Sequence, residues 1–314
     1  MTKALTEGKI PAMACVTFDR EKILNQAAVG TTRSNKKIDL PADAQWHIGS
    51  NGKAMTATLV ARLVEKKIVN WDTPMSEIFP EASKEFHPEA RKITLLQLLS
   101  HTAGLPPNPA GPDRLKSRLE VTKIGFKEKP GTGFKYSNWG YIVAAAAVEK
   151  LTNSTREKAI ETEVFTPLGI KPFGFGAPVG ENVIHGHYKG RPAPTGVAGD
   201  NPPLYGPAGG IHLSLADWVV FARDQMNGRN GKGKILTKES YLKLHTPVSG
   251  SYALGWGTWN EDGTIIGLGH DGSNTLWYAR ISLDLNDQIG ILTVANEATP
   301  TIKNWISRVE KAAK

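Results

Sequence analysis

Apolar and polar positions alternate near the two ends of the chain and recur at helical spacing between them. Ala12-Met13-Ala14-Cys15-Val16-Thr17-Phe18 reads as a strand, Asp19 to Lys22 as a turn, and Ile23 to Val29 as a second strand. Residues 9–40 therefore predict paired antiparallel strands. Met55, Leu59 and Leu63 then recur every fourth residue, which predicts a helix from Ser50 to about Lys67. Thr94 opens a short amphipathic helix over 94–101, stopped by Thr102 to Pro107, and a Pro/Gly/Asn-rich loop follows over 106–114. A long helix is predicted from Trp139 to Leu151, with Ile142, Val143, Ala146, Ala147, Val148 and Leu151 on one broad face. Another spans about 155–164. Residues 166–208 are rich in Gly and Pro with little periodicity, which predicts a long surface loop. Regular pattern returns from Gly209. It predicts a helix from Ser214 to about Met226, strands over 252–259, 265–270, 275–284 and 288–296, and a hairpin turn at Glu261-Asp262-Gly263. A final amphipathic helix runs from Pro300 to about Lys311.

Strands at both ends with helices between predict an α+β fold. The expected form is an antiparallel sheet flanked by helices, built from both chain ends, with an inserted mainly helical lobe. The corresponding division is a sheet domain from residues 1–68 and 205–314 and a helical, loop-rich lobe from 69–204, with the active site in the cleft between them. The 314 residues are enough for two such lobes.

Composition removes several classes of function. The formal charge of +8 is scattered, with no basic stripe interleaved with aromatics, which argues against nucleic-acid binding. No apolar run reaches the roughly 18 residues that a membrane span needs. Cys15 is the single cysteine, so there is no intrachain disulfide framework, and its strand pattern predicts a buried, inert thiol. Met1 to Glu7 lacks the apolar core of a signal peptide, so the expected alternatives are a cytosolic protein or a mature form with its leader removed.

The candidate chemistry begins at Ser50-Asn51-Gly52-Lys53. A spacing of three puts Lys53 one helical turn beyond Ser50. A neutral amine within reach can take the serine proton and turn a weak nucleophile into a useful one. The helix N-terminus adds free N–H groups and partial positive charge, which favour an oxyanion on the atom that Ser50 attacks. Alone the pair has an ordinary reading, since Ser is a common N-cap and Lys is common on helix surfaces.

Two further pieces change that picture: Tyr136-Ser137-Asn138, and Gly269-His270-Asp271-Gly272-Ser273 in a strand region. Singly, Tyr136 reads as a core aromatic, His270 as a strand histidine and Asn138 as a cap for the helix beginning at Trp139. Together and in order, the three pieces resemble the serine beta-lactamase and penicillin-binding family, in particular its class C, D-alanyl-D-alanine peptidase and family VIII esterase branch. Leu98-Leu99-Ser100-His101-Thr102-Ala103-Gly104-Leu105, Lys129-Pro130-Gly131, Pro207-Ala208-Gly209-Gly210 and Leu254-Gly255-Trp256 lie between them in the family's order. The resemblance covers roughly residues 8–300.

The resemblance implies a serine hydrolase working through an acyl-enzyme on an ester or amide, with no metal or organic cofactor. Ser50 would be acylated, Lys53 would accept or share its proton, and Tyr136 would work with the lysine and return the proton to the leaving group. A nearby cation would lower the tyrosine pKa, and desolvation that of the lysine. Asn138 would bind a substrate amide or the Lys53 ammonium. The backbone N–H groups of Ser50 and Ser273 would form the oxyanion hole, with Gly272 leaving room along the strand edge and His270 lining it. The partner is a small-molecule or peptide substrate; oligomeric state is unreadable. Relatives of this kind mostly act in the periplasm or outside the cell, which implies a periplasmic or secreted protein, with a cytoplasmic one as the alternative. A D-alanyl-D-alanine carboxypeptidase, a weak beta-lactamase and a catalytically silent binding module are the alternatives.

The chain also departs from the family. Class C beta-lactamases carry Lys-Thr-Gly where this chain has His270-Asp271-Gly272. A mostly neutral histidine replaces a fixed cation, and Asp271 would repel a substrate carboxylate if it faced the cleft, which predicts inefficient beta-lactam hydrolysis. His185-Gly186-His187 lacks a nearby Cys or acidic partner for a metal, and Phe173-Gly174-Phe175-Gly176 lacks the strand-to-helix context of a dinucleotide site. Trp139, Trp256, Trp259, Trp277 and Tyr278 divide between core and an apolar acyl pocket. The loops 106–128 and 166–208 are expected to shape that pocket.

Overall fold

The computed structural model describes residues 1–41, 43–108, 115–123, 129–180 and 182–313. Parts of the predicted loops, 109–114 and 124–128, lie outside the described residues.

Twelve strands are described: β1 (Ala12–Phe18), β2 (Ile23–Arg33), β3 (Lys36–Asp39), β4 (Gln45–His47), β5 (Phe173–Phe175), β6 (His187–Tyr188), β7 (Arg191–Pro192), β8 (Ile211–Ser214), β9 (Gly257–Glu261), β10 (Thr264–Ser273), β11 (Tyr278–Asp284) and β12 (Ile289–Ala295). Seven form one antiparallel sheet in the order β3-β2-β1-β12-β11-β10-β9, which joins the two chain ends at its centre. There β1 meets β12 in the register Met13↔Ala295 through Phe18↔Gly290. A second sheet has the order β4-β8-β5.

β1 is buried at every position, because both faces of the sheet are covered. Ala12, Ala14, Val16 and Phe18 face the main core, while Met13 and Cys15 pack with Ile302, Ile306 and Val309 of the C-terminal helix, Ile302–Ala313. Cys15 is buried, as its pattern predicts, and burial pushes its thiol pKa up. Local signals account for the turns. Asp19 Oδ1 accepts from the N–H groups of Glu21 and Lys22 between β1 and β2. Asp262 and Gly263 both take positive φ, +47° and +79°, in the two-residue turn between β9 and β10.

The Gly52–Glu65 helix runs through the centre of the molecule. It is buried from Gly52 to Ala61, more completely than an amphipathic surface helix would be. The 3-10 turn Gly49–Asn51 leads into it. The Leu95–Leu99 helix opens with a capping box in which Thr94 and Gln97 satisfy each other's backbone N–H groups. The Asn138–Thr152 helix is buried from Trp139 to Val148. No helix among the described residues is long and apolar enough to cross a membrane.

Several expectations need correction. Residues 166–208 are not one long loop: they hold β5, β6, β7 and 3-10 turns at Gly196–Gly199 and Pro203–Tyr205. Their Gly and Pro residues serve short turns between these pieces rather than one open excursion. The strand expected over 252–259 begins only at Gly257, since Tyr252 makes isolated bridges to Ser249 and Gly257. The helix expected over 155–164 is α-helical at Arg156–Ile160, then widens into a π-turn at Glu161–Phe165. The Lys238–His245 helix was not anticipated.

Candidate active site

Backbone close to Ser50 is held by contacts that only glycine permits. Gly49 has φ +53°, and a Cβ there would lie 2.4 Å from the Ser273 nitrogen. A Cβ on Gly272 would lie 2.1 Å from the Ile48 oxygen and 2.9 Å from the Ser50 nitrogen. The turn carrying Ser50 and the end of β10 are therefore in backbone contact, with the nitrogens of Ser50 and Ser273 brought to one place. β9 pairs with β10 only as far as Gly269↔Gly257. Beyond that point, His270 to Ser273 run along the cleft, with no β9 residue opposite.

Lys53 is the most constrained side chain of the site. It is 0% exposed, with Nζ 3.0 Å from Ser50 Oγ, 2.8 Å from Asn138 Oδ1 and 2.6 Å from the Ala208 oxygen. Burial holds its pKa well below the ordinary lysine range. The Tyr136 and Tyr141 rings, with centroids 4.9 and 5.4 Å from Nζ, favour the ammonium, but their pull is small beside the cost of burying a charge. A neutral amine satisfies all three contacts. Its two N–H groups donate to Asn138 Oδ1 and the Ala208 oxygen, and its lone pair accepts the Ser50 hydroxyl.

Tyr136 completes the network by donating its hydroxyl to Ser50 Oγ at 2.9 Å. Burial raises its pKa to about 12, so the resting group is a phenol. The lowering expected from a neighbouring cation is not found, because burial outweighs the hydrogen bond to Ser50. His101 packs under the tyrosine, ring centroids 4.3 Å apart, and accepts the Ser137 N–H on Nδ1 at 3.1 Å. Burial, with Lys53 and His270 nearby, lowers its pKa to about 2, so it holds Tyr136 as a neutral aromatic wall. The sequence contains His101 in a recognised stretch, but nothing there marked this role.

Asn138 is the first residue of its helix rather than its cap. Ser137 holds the N-cap position, with its hydroxyl donating to the Pro106 oxygen. The Asn138 side chain is thereby free to accept from Lys53 and donate to Asn108 Oδ1 at 2.9 Å.

His270 lies beside Tyr136, ring centroids 6.3 Å apart. Its Nδ1–H donates to the Asp271 oxygen at 2.6 Å and Nε2 accepts the Tyr252 hydroxyl at 3.0 Å. Burial and the nearby Lys53 lower its pKa to about 4, which leaves it neutral at pH 7. Asp271 projects to the opposite face of β10. There it binds Arg280 through two bonds of 2.6 and 3.3 Å and pairs with Lys303 at 3.5 Å. Burial alone would raise its pKa, but Arg280 and Lys303 outweigh it and keep the group a neutralised carboxylate. Asp271 borders the groove that holds Tyr136 and His270, but its carboxylate is paired there with Arg280.

Sequence reasoning missed a buried bridge behind the site. His47 Nδ1 accepts the Gly49 N–H at 3.3 Å, so Nε2 carries the proton and donates to Asp200 Oδ2 at 3.1 Å. Asn274 Nδ2 donates to Asp200 Oδ1 at 2.7 Å. Burial would raise the pKa of Asp200, but the hydrogen bonds from His47, Asn274 and the Asn201 N–H outweigh it and lower it. The bridge ends one residue from Ser50 on one side and one residue from Ser273 on the other.

The histidines of His185-Gly186-His187 are engaged structurally. His185 meets Arg33 Nη2 and the Ala193 oxygen, and His187 meets the Ser34 N–H and the Asn296 oxygen. Among the described residues no three His, Cys, Asp or Glu side chains are grouped to hold a metal.

The chain is similar to known proteins over most of its length. The chain is 27% identical over 295 residues to penicillin-binding protein 4 of Amycolatopsis lactamdurans, covering 86% of this chain and 76% of that protein. It is 24% identical over 314 residues to protein flp of Staphylococcus aureus (strain COL), covering 93% of this chain but only 61% of the staphylococcal protein's length. A solved penicillin-binding protein from Bacillus halodurans superposes with a TM-score of 0.81 at 21% identity, covering 99% of this chain and 98% of that one. Its likeness shows the fold. The family model described as Beta-lactamase matches residues 1–310, and the chain belongs to the beta-lactamase family, whose members are generally serine hydrolases.

Proposed function

We propose that this protein is a serine hydrolase that forms an acyl-enzyme on Ser50 and acts on an ester or a D-amino-acid peptide. The carrying observation is that one atom, Ser50 Oγ, lies 3.0 Å from the Nζ of a buried Lys53, whose pKa burial depresses, and 2.9 Å from the Tyr136 hydroxyl. The cleft is taken to lie between a sheet lobe, 1–68 and 205–314, and a helical lobe, 69–204.

In this reading Lys53 takes the Ser50 proton as Oγ attacks the carbonyl carbon. The N–H groups of Ser50 and Ser273 hold the oxyanion that forms. On collapse the leaving group takes the Tyr136 proton. The phenolate now stands beside the Lys53 ammonium, whose charge favours the anion, and the proton passes from lysine to tyrosine. Water then attacks the acyl ester by the same path in reverse. Tyrosine is thus lowered by a cation only during turnover. The neutral His270 offers no fixed charge to a substrate carboxylate, which supports an ester or peptide substrate over efficient beta-lactam hydrolysis.

The test is hydrolysis of p-nitrophenyl butyrate and of a peptide ending in D-alanyl-D-alanine by the wild type and by Ser50→Ala. The expected result is turnover of at least one substrate that is lost in the variant. Equal turnover in both proteins refutes the assignment. Substrate binding by both without turnover by either favours a binding module.

A further inference from the structure

A second cavity adjoins the cleft. It has a volume of about 210 Å³ and shares Asn201, Tyr205 and Gly209 with the part of the cleft that Ser50 lines. Its charged lining residues are Arg156, Glu157 and Asp200, and Phe175, Val197, Pro202 and Pro203 give it an apolar wall. Arg156 has no part in the proposed mechanism, yet it is 0% exposed. A Cβ on Gly206, another lining residue, would lie 3.5 Å from Arg156 Nη2, so the guanidinium itself borders the space.

The neighbours of Arg156 leave its donors unspent. Nε and Nη1 have no hydrogen-bond partner among the described residues. Nη2 pairs with Glu157 Oε1 at 3.1 Å, and the Glu157 side chain is 36% exposed. Glu149 is occupied elsewhere: its Oε1 accepts from Arg118 Nη1 at 2.6 Å and from the Arg156 backbone N–H at 3.2 Å. Asp200 has its oxygens engaged by His47, Asn274 and the Asn201 N–H, so it does not compete for Arg156. Phe175 covers one face of the guanidinium, its ring centroid 5.0 Å from Cζ. Burial lowers the pKa of Arg156 against the pull of Glu157 and Glu149. A buried cation is costly unless acceptors meet its donors, and two of the three nitrogens here meet none.

We propose that this cavity is a carboxylate-binding site, in which Arg156 holds a ligand carboxylate through two parallel N–H···O bonds and the apolar wall takes a short chain behind it. The planar fork of a guanidinium matches a carboxylate in this way. Glu157 fills the place loosely, with one oxygen on one nitrogen at the solvent edge, and a ligand displaces it. The carboxylate belongs to a small free acid or to the acyl chain of a substrate whose carbonyl lies at Ser50, since the cavity and the cleft share three lining residues. The site itself does not depend on the acyl-enzyme reading.

The test is calorimetric titration with valerate and with valeramide, its uncharged counterpart. The wild type is expected to bind valerate about 10-fold or more tightly, the scale of a charge-assisted bidentate contact. In Arg156→Gln that preference is expected to vanish. In Glu157→Gln the affinity for valerate is expected to rise about 3-fold or more, because a competing carboxylate is gone. Glu157 lies at the solvent edge, so its variant carries the test if Arg156→Gln fails to fold. Equal binding of the two ligands by the wild type, no valerate binding at tens of millimolar, a preference that survives in Arg156→Gln, or no gain in Glu157→Gln overturns the inference. A second arm separates the two sources by comparing p-nitrophenyl hydrogen glutarate with p-nitrophenyl valerate. A glutarate preference in kcat/KM that Arg156→Gln removes puts the carboxylate on the acyl chain, and valerate binding without that preference makes it a free acid. Hydrolysis of neither ester bears on the acyl-enzyme reading alone and leaves the titration to decide the site.

Discussion

His47 donates to Asp200 across 3.1 Å, although 153 residues separate them in sequence. The tautomer is fixed by Gly49, whose N–H occupies His47 Nδ1. Asp200 also accepts from Asn274 and from the Asn201 N–H, so only acceptors fit at its two oxygens. Asp200→Asn must turn one N–H toward another N–H, loosening the tie between the Ser50 turn and the end of β10. The expected outcome is a fall of about 10- to 100-fold in kcat, the scale of a misplaced oxyanion donor, with KM changed far less. Steady-state kinetics alongside a thermal melt check this. An equal loss in both constants would mean that the bridge is structural only.

Gly49→Ala strikes the same contact directly. The positive φ and the 2.4 Å approach to the Ser273 nitrogen force the backbone apart. Activity is expected to fall at least about 100-fold, since both oxyanion donors move. Near-normal kcat in a folded variant would place the oxyanion elsewhere.

Lys53 sets the pH dependence. Its folded pKa is depressed while the unfolded chain's stays at about 10.4, so the unfolded state binds more protons between the two values. Stability attributable to this residue therefore rises with pH across that window and levels off above it. Lys53→Met is expected to flatten this slope in urea unfolding between neutral and alkaline pH, and to lower kcat by about 100-fold or more through loss of the base. In the wild type the acidic limb of kcat/KM should lie well below the ordinary lysine range. A rate still climbing tenfold per unit near pH 10 would mean that Lys53 rests as an ammonium.

Tyr136→Phe separates proton delivery from attack. An alkyl alkoxide or amine needs a proton to leave, whereas p-nitrophenolate does not. The variant is expected to lose about 100-fold or more on alkyl esters and much less on p-nitrophenyl esters. Equal losses would give the tyrosine a role in packing alone, through its contact with His101.

What could be read from sequence, and what could not, follows the range of the interactions. Ser50 and Lys53 share one helical turn, so their meeting is written in a spacing of three. The continuous apolar runs of β1 and β12 and the Asp262-Gly263 turn are equally local signals. β4, β5 and β8 escaped notice because three or four residues carry too little periodicity to register. Tyr252, Leu254 and Trp256 alternate like a strand, yet they fill space beneath the site instead of extending the sheet. Asp200 sits in a stretch with no pattern, and its tie to His47 and Asn274 exists only once the chain has folded. The orientation of Asp271 depended on its finding Arg280 on the neighbouring strand.

The central claim is a covalent bond to one oxygen. Intact-mass measurement after rapid mixing with p-nitrophenyl butyrate, followed by peptide mapping, tests it most directly. The account predicts one butyryl group per chain, located on the peptide bearing Ser50 and missing in Ser50→Ala. Turnover with no adduct at Ser50, or an adduct that persists in Ser50→Ala, would contradict it.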